Sequence, residues 1–306
     1  MQILLSGVVI TASLVFFVEV ILSRRFVTGL TLMSSWRWAV AGAFSVVASM
    51  LVTRKVVTLA PGWTSAAQYF AATMLLTPLV AALGARRPGN AAWQWFVVLP
   101  MIVVLQWPAV TQLMSSRGSE PLELGAPATI GVLLVITMGA GTLLGSSMTL
   151  SGLMYVAAVL CCLLPSSGWM ASTSSLPLLS PLLLVGAQIP AASILKARFA
   201  AARNARGVAE SADAAWQLFQ TLYGLVWTRR VLDRVNQFAP GEQWSVTLTR
   251  LGFRRSGGGA VSDAELAKPL EAFRWVLSRF ADPEWIKKHV TNMAVDVSVS
   301  DRKSVV

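Results

Sequence analysis

Apolar residues fill the stretch from 4 to 196 in long runs, most of them closed by an arginine or tryptophan cluster, and the pattern ends there. A helix needs about 20 predominantly apolar residues to cross the hydrocarbon core of a bilayer. On that criterion seven segments predict membrane helices, approximately 4–22, 36–53, 67–85, 93–113, 126–145, 147–165 and 176–196. Only Gly145-Ser146-Ser147 divides the fifth from the sixth. One helix over all of 126–165 would be about 60 Å long at 1.5 Å per residue, roughly twice the core thickness, so a tight helical hairpin is predicted instead.

Beyond residue 196 the pattern changes. An Ala/Arg-rich connector leads into Trp216, Phe219, Leu222, Tyr223, Val226, Leu232 and Val235, whose helical spacing predicts a long amphipathic helix ending near Phe238. Trp216 and Trp227 beside Arg229, Arg230 and Arg234 give that helix two expected uses, lying on a membrane surface or packing on the rest of the tail or a partner. Pro240-Gly241 predicts a turn, and Trp244, Val246 and Leu248 alternate with Ser245, Thr247 and Thr249 as in a half-buried strand. After the flexible break Ser256-Gly257-Gly258-Gly259, Ser262-Asp263-Ala264-Glu265 is a capping-box pattern opening a further helix. Pro269 is expected to kink or restart it. Asp282-Pro283-Glu284 predicts the start of a last short helix carrying Trp285. Ala294 to Val299 is an expected edge strand in an otherwise disordered end.

These elements predict an all-α polytopic membrane bundle of about seven transmembrane helices over 1–196 and a basic connector over 197–208. A small cytosolic C-terminal domain, α+β or mainly helical, follows over 209–292, with a disordered tail over 293–306. One or two short strands cannot close a sheet alone, so the C-terminal domain is expected to complete its core on the membrane helices or on another chain.

Composition supports the membrane class: 55% of the 306 residues are hydrophobic and 13% charged, with mean hydropathy +0.63, where soluble domains carry about a quarter charged residues. The formal charge of +11 is concentrated at the ends of apolar runs and in the tail, where Lys and Arg number 17 against 11 Asp and Glu from Lys196 onward. That placement anchors a chain against anionic lipid rather than building a nucleic-acid surface. The expected partners are therefore the lipid bilayer and a protein bound through residues 209–292.

The first run lacks the positive start of a signal peptide and is followed by Arg24-Arg25, the flank of a retained first helix with its N-terminus outside. Seven crossings then place Arg24, Arg25, Arg37, Arg86, Arg87 and the basic residues from Lys196 to Arg206 inside, with only Arg54, Lys55 and Arg117 outside. A cell (plasma) membrane with a cytoplasmic C-terminus is the expected setting. Trp36, Trp38, Trp63, Trp93, Trp95, Trp107 and Trp169 fall near predicted span ends, the depth that indoles prefer.

The sequence offers little chemistry. The single histidine, His289, lies in the tail and reads as a solvated surface residue, so a zinc HExxH site and an intramembrane serine–histidine pair both fail. No acid follows Gly139-Ala140-Gly141-Thr142, and no Walker A pattern occurs. Cys161 and Cys162 are adjacent, with no further ligands for a metal. No cofactor and no catalytic residue is predicted. Glu19 is the one ionisable side chain inside a predicted span and, with Gln188 beside Pro190, is a candidate for an ion or substrate path. The leading expectation is an interaction or scaffolding protein acting through its C-terminal domain; the alternative is a secondary transporter or permease component.

Overall fold

The structure, a computed structural model, describes residues 2–169, 175–255 and 261–290. The expected break at 256–259, the tail over 293–306 and the edge strand within it lie outside the described residues. The bundle comprises α1 (Gln2–Leu22), the short α2 (Arg24–Val27), α3 (Met33–Thr53), α4 (Pro61–Leu83), α5 (Asn90–Trp93), α6 (Leu99–Ser116), α7 (Ala126–Ala140), α8 (Thr149–Leu163) and α9 (Ser180–Asn204). A π-helical turn, Gln94–Val98, joins α5 to α6. Among the described residues six helical stretches are long and apolar enough to cross a membrane; α7, at 15 residues, is shorter. A turn over 141–148 separates α7 from α8, so the chain forms the helical hairpin rather than one long helix.

Proline placement explains how the helices approach one another. Pro78 cannot donate to the carbonyl of Met74, and the Thr77 hydroxyl donates to that oxygen at 2.7 Å instead. On the facing helix stands Gly42, where a Cβ would lie 2.9 Å from the same oxygen. Among the described residues α3 and α4 form the most extensive helix pair. The hydroxyls of Tyr69 and Tyr155 tie further pairs by donating to the carbonyls of Leu105 and Leu75. Pro181 sits in the first turn of α9, where a missing N–H leaves no bond unmade, whereas Pro100 follows the π-helical turn inside the continuous helical stretch Asn90–Ser116.

Beyond the bundle lie α10 (Val208–Asn236), α11 (Ala239–Glu242), strands β1 (Val246–Thr249) and β2 (Gly252–Arg255), α12 (Asp263–Leu277) and α13 (Pro283–Val290). The strands pair antiparallel, with Leu248 opposite Phe253. β2 carries no alternating pattern, which is why the sequence located only its partner. Pro269 neither breaks nor restarts α12, and Pro240-Gly241 falls within α11.

One core cluster runs through this region, with Trp216, Phe219, Phe273 and Phe280 among its rings, and it takes in Leu30, Leu32, Ala85 and Ala202 from the bundle. His289, expected in solvent, is only 9% exposed. It lies four residues after Trp285 on one face of α13, stacked on that indole at 4.3 Å and edge-on to Phe199 of α9 at 5.9 Å. Burial, first, and the neighbouring Lys288 charge push its pKa down, against a contact of 2.9 Å between its Nδ1 and the Trp285 carbonyl oxygen that raises it.

Candidate functional site

The C-terminal elements are built onto loops at one end of the bundle. Leu30 and Ala281 pair as an isolated antiparallel bridge. Flanking it, the Thr31 amide donates to the Phe280 carbonyl and the Asp282 amide to the Gly29 carbonyl, each at 2.8 Å. The loop after α4 joins through the Arg87 amide, which donates to the Arg279 carbonyl at 2.8 Å, and through the Arg87 guanidinium, which pairs with Asp282. The Trp227 indole donates to the Ala82 carbonyl at 3.0 Å.

At the centre of this joint the Thr31 hydroxyl donates to the Ala85 carbonyl at 2.7 Å and the Tyr223 hydroxyl to the Phe280 carbonyl at 2.8 Å, the two oxygens lying 3.0 Å apart. Two hydroxyl protons thus serve three contacts. Burial pushes the Tyr223 pKa up, so the phenol remains a donor across the physiological range. The turn after α7 enters where α10 breaks: the Leu225 amide donates to the Thr142 carbonyl at 2.8 Å. Basic side chains ring this end, among them Arg24, Arg25, Arg203 and Arg230, all exposed.

On the outward side of the same unit, Trp275 of α12 is 47% exposed. The Arg279 and Arg234 guanidiniums stand 5.4 and 5.8 Å from its ring centre, and Phe238 meets it edge-on at 5.9 Å. Arg234 also lies 5.3 Å from the Phe238 ring and donates to Gln237 at 3.0 Å. A large apolar ring is thereby presented to solvent between two positive charges.

The structure separates the residues singled out from the sequence. Trp216 and Trp227 are buried against the C-terminal core, Trp216 stacked on Phe219 at 5.8 Å. Arg229 and Arg230 sit on the outer side, Arg229 paired with Asp233 at 3.0 Å and Arg230 placed 5.0 Å from the Trp227 ring. Arg234 alone of this set reaches the Trp275 patch. Glu19 is exposed on α1 and Gln188 is half-buried on α9.

Three further glutamines of the bundle bridge helices. Gln68 donates to Thr53 at 3.0 Å and Gln106 to Thr73 at 2.8 Å, while Gln94 accepts from the Trp38 indole at 2.8 Å. Among the described residues no group of three His, Cys, Asp or Glu side chains is placed to hold a metal ion. The patch escaped the sequence reading because Phe238 and Trp275 belong to different elements, and only folding brings them together. Comparison with protein-family models, with curated proteins and with solved structures finds no match to this chain.

Proposed function

We propose that the protein is a multi-pass integral membrane protein of the plasma membrane whose cytosolic C-terminal unit is a platform for an acidic protein partner. The observation that carries this reading is the exposed Trp275 between Arg234 and Arg279. Tryptophan and arginine dominate the energetics of interfaces, and an indole already held by its neighbours loses little freedom on binding. Arg229 and Arg230, one turn earlier on α10, extend the positive field that draws an acidic surface in. The positive-inside rule supports a cytosolic location for this unit, because the loops on which it sits carry Arg24, Arg25, Arg86 and Arg87.

Amine crosslinking with mass spectrometry, on the full chain in native membranes, tests the reading through Lys268, which is exposed on α12. An acidic protein joined to Lys268 is expected, and Trp275→Ala combined with Arg234→Ala should reduce that crosslink about 30-fold, as expected for loss of a hot spot. An undiminished crosslink in the variant, or none with the wild type, refutes the platform.

A further inference from the structure

A cavity of about 850 Å³ opens on the basic end of the bundle, between α2, the last turns of α9, and α13. Its inner wall is apolar. Phe26 and Phe199 lie with ring centres 5.4 Å apart, and Trp285 closes the side formed by α13. Its rim carries Arg25, Lys196, Arg203 and Lys288, all exposed, and none of them makes an ion pair among the described residues. Asp282 and Glu284 also line it, so four cations and two carboxylates leave a formal +2. Asp282 is already engaged by Arg87, which stands outside the lining.

The surroundings decide what kind of anion fits. The cavity lies where α1 and α9 emerge from the apolar part of the bundle, and these helices pack on one another. Val18, Ile21 and Leu22 of α1 and Ile189 of α9 are exposed large apolar side chains on the stretches leading up to it. A ligand seated here meets positive charge and aromatic rings at one end and hydrocarbon-facing helix at the other. Soluble phosphate uses only the first of these; a phospholipid uses both.

We propose that this cavity binds the phosphate-bearing headgroup of an anionic phospholipid, with its acyl chains along α1 and α9. Phosphate is the anion that arginine's planar fork and lysine's point charge both recognise, and basic pockets between helices at the cytoplasmic level suit such headgroups. The volume is that of a pocket for a sizeable organic headgroup. This assignment needs the bundle to lie in a bilayer and does not depend on the partner platform.

The test is native mass spectrometry of the full chain in neutral detergent, titrated with phosphatidylglycerol, with phosphatidylcholine, and with inorganic phosphate as competitor. Phosphatidylglycerol is expected to bind at least about tenfold more tightly than phosphatidylcholine. Arg203→Gln combined with Lys288→Gln should weaken it about 30-fold, taking about 1 kcal/mol for each basic residue near an anionic lipid. Arg250→Gln with Lys268→Gln, exposed cations elsewhere on the unit, should leave it unchanged. Equal binding of the two lipids, or an unaffected double variant, overturns the proposal. So does displacement by inorganic phosphate at the lipid's own concentration, which would make a soluble phosphate compound the ligand. Should the double variant fail to fold, Lys288→Glu alone, at an exposed position of α13, is expected to lower lipid affinity at least about fivefold, and no change refutes the site.

Discussion

Glu265 shows how much a single side chain settles in the C-terminal unit. Its carboxylate accepts from the Arg255 guanidinium, from the Ser262 amide at 3.0 Å and from the Ser262 hydroxyl at 2.8 Å, while its own amide donates back to that hydroxyl at 3.4 Å. Those bonds, Arg255's first, lower its pKa from 4.5 to about 2. A carboxyl whose folded pKa lies below its unfolded value contributes stability that is complete above the unfolded pKa and lost as pH falls toward the folded one. The melting temperatures of wild type and Glu265→Gln are therefore expected to differ by a constant gap from neutral pH down to about pH 5.5. The gap should close steadily between about pH 4.5 and 2. Added salt should narrow it too, since the pair is open to solvent. A gap indifferent to pH would show that shape rather than charge is what glutamine loses. This residue was legible in the sequence because a capping box is local: both partners lie within one turn. His289 was not, because what buries it is Phe199, which belongs to a different helix.

At the scale of the element, α10 is a single helix in its spacing and two helices in its backbone. Gly224 has φ +71° and ψ −173° within it, a conformation reserved almost entirely for glycine, and a Cβ there would lie 2.8 Å from the Thr142 carbonyl oxygen. The break frees the Leu225 amide to reach that oxygen, so the strain serves the seating of the unit on the turn between α7 and α8. Gly224→Ala is expected to cost about 1 to 3 kcal/mol and to raise the exchange rate of the Leu225 amide far more than that of amides within α12. Uniform acceleration across the unit would argue that the contact with Thr142 is incidental. The apolar positions on either side keep helical spacing, so periodicity read the element correctly and passed over its hinge. The second strand escaped for the converse reason: it is held by Asp213, which accepts from the Phe253 amide at 2.8 Å and pairs with Arg254, rather than by any pattern of its own.

For the molecule as a whole, the decisive question is how α7 reaches from one end of the bundle to the other. Its 15 residues rise about 22 Å against a core of about 30 Å. The chain before it runs in extended form, with Leu122 and Leu124 buried. Non-helical backbone at such depth persists only where protein satisfies its polar groups, and here it does. The Leu122 amide donates to the Ser65 hydroxyl at 2.7 Å, the Glu123 amide to the Gln112 side-chain carbonyl at 3.0 Å and the Leu124 amide to the Ser166 carbonyl at 2.6 Å. Gln112 completes the arrangement by donating to the Pro121 carbonyl at 3.2 Å. Hydropathy drew the segment over 126–145, five residues beyond the end of α7, because it registers apolar residues and is blind to a backbone satisfied by neighbouring helices. A seventh crossing puts Ser119 on the opposite side of the membrane from Arg206. In intact cells expressing a chain with Cys161→Ala and Cys162→Ala, an impermeant maleimide should label Ser119→Cys and should reach Arg206→Cys only after the cells are opened. Labelling of both before lysis would mean that α7 turns back without crossing. The unit beyond α9 would then lie on the same side as Ser119, which its bonds to the loops at Gly29, Thr31 and Arg87 do not allow, so that outcome would overturn this packing as well.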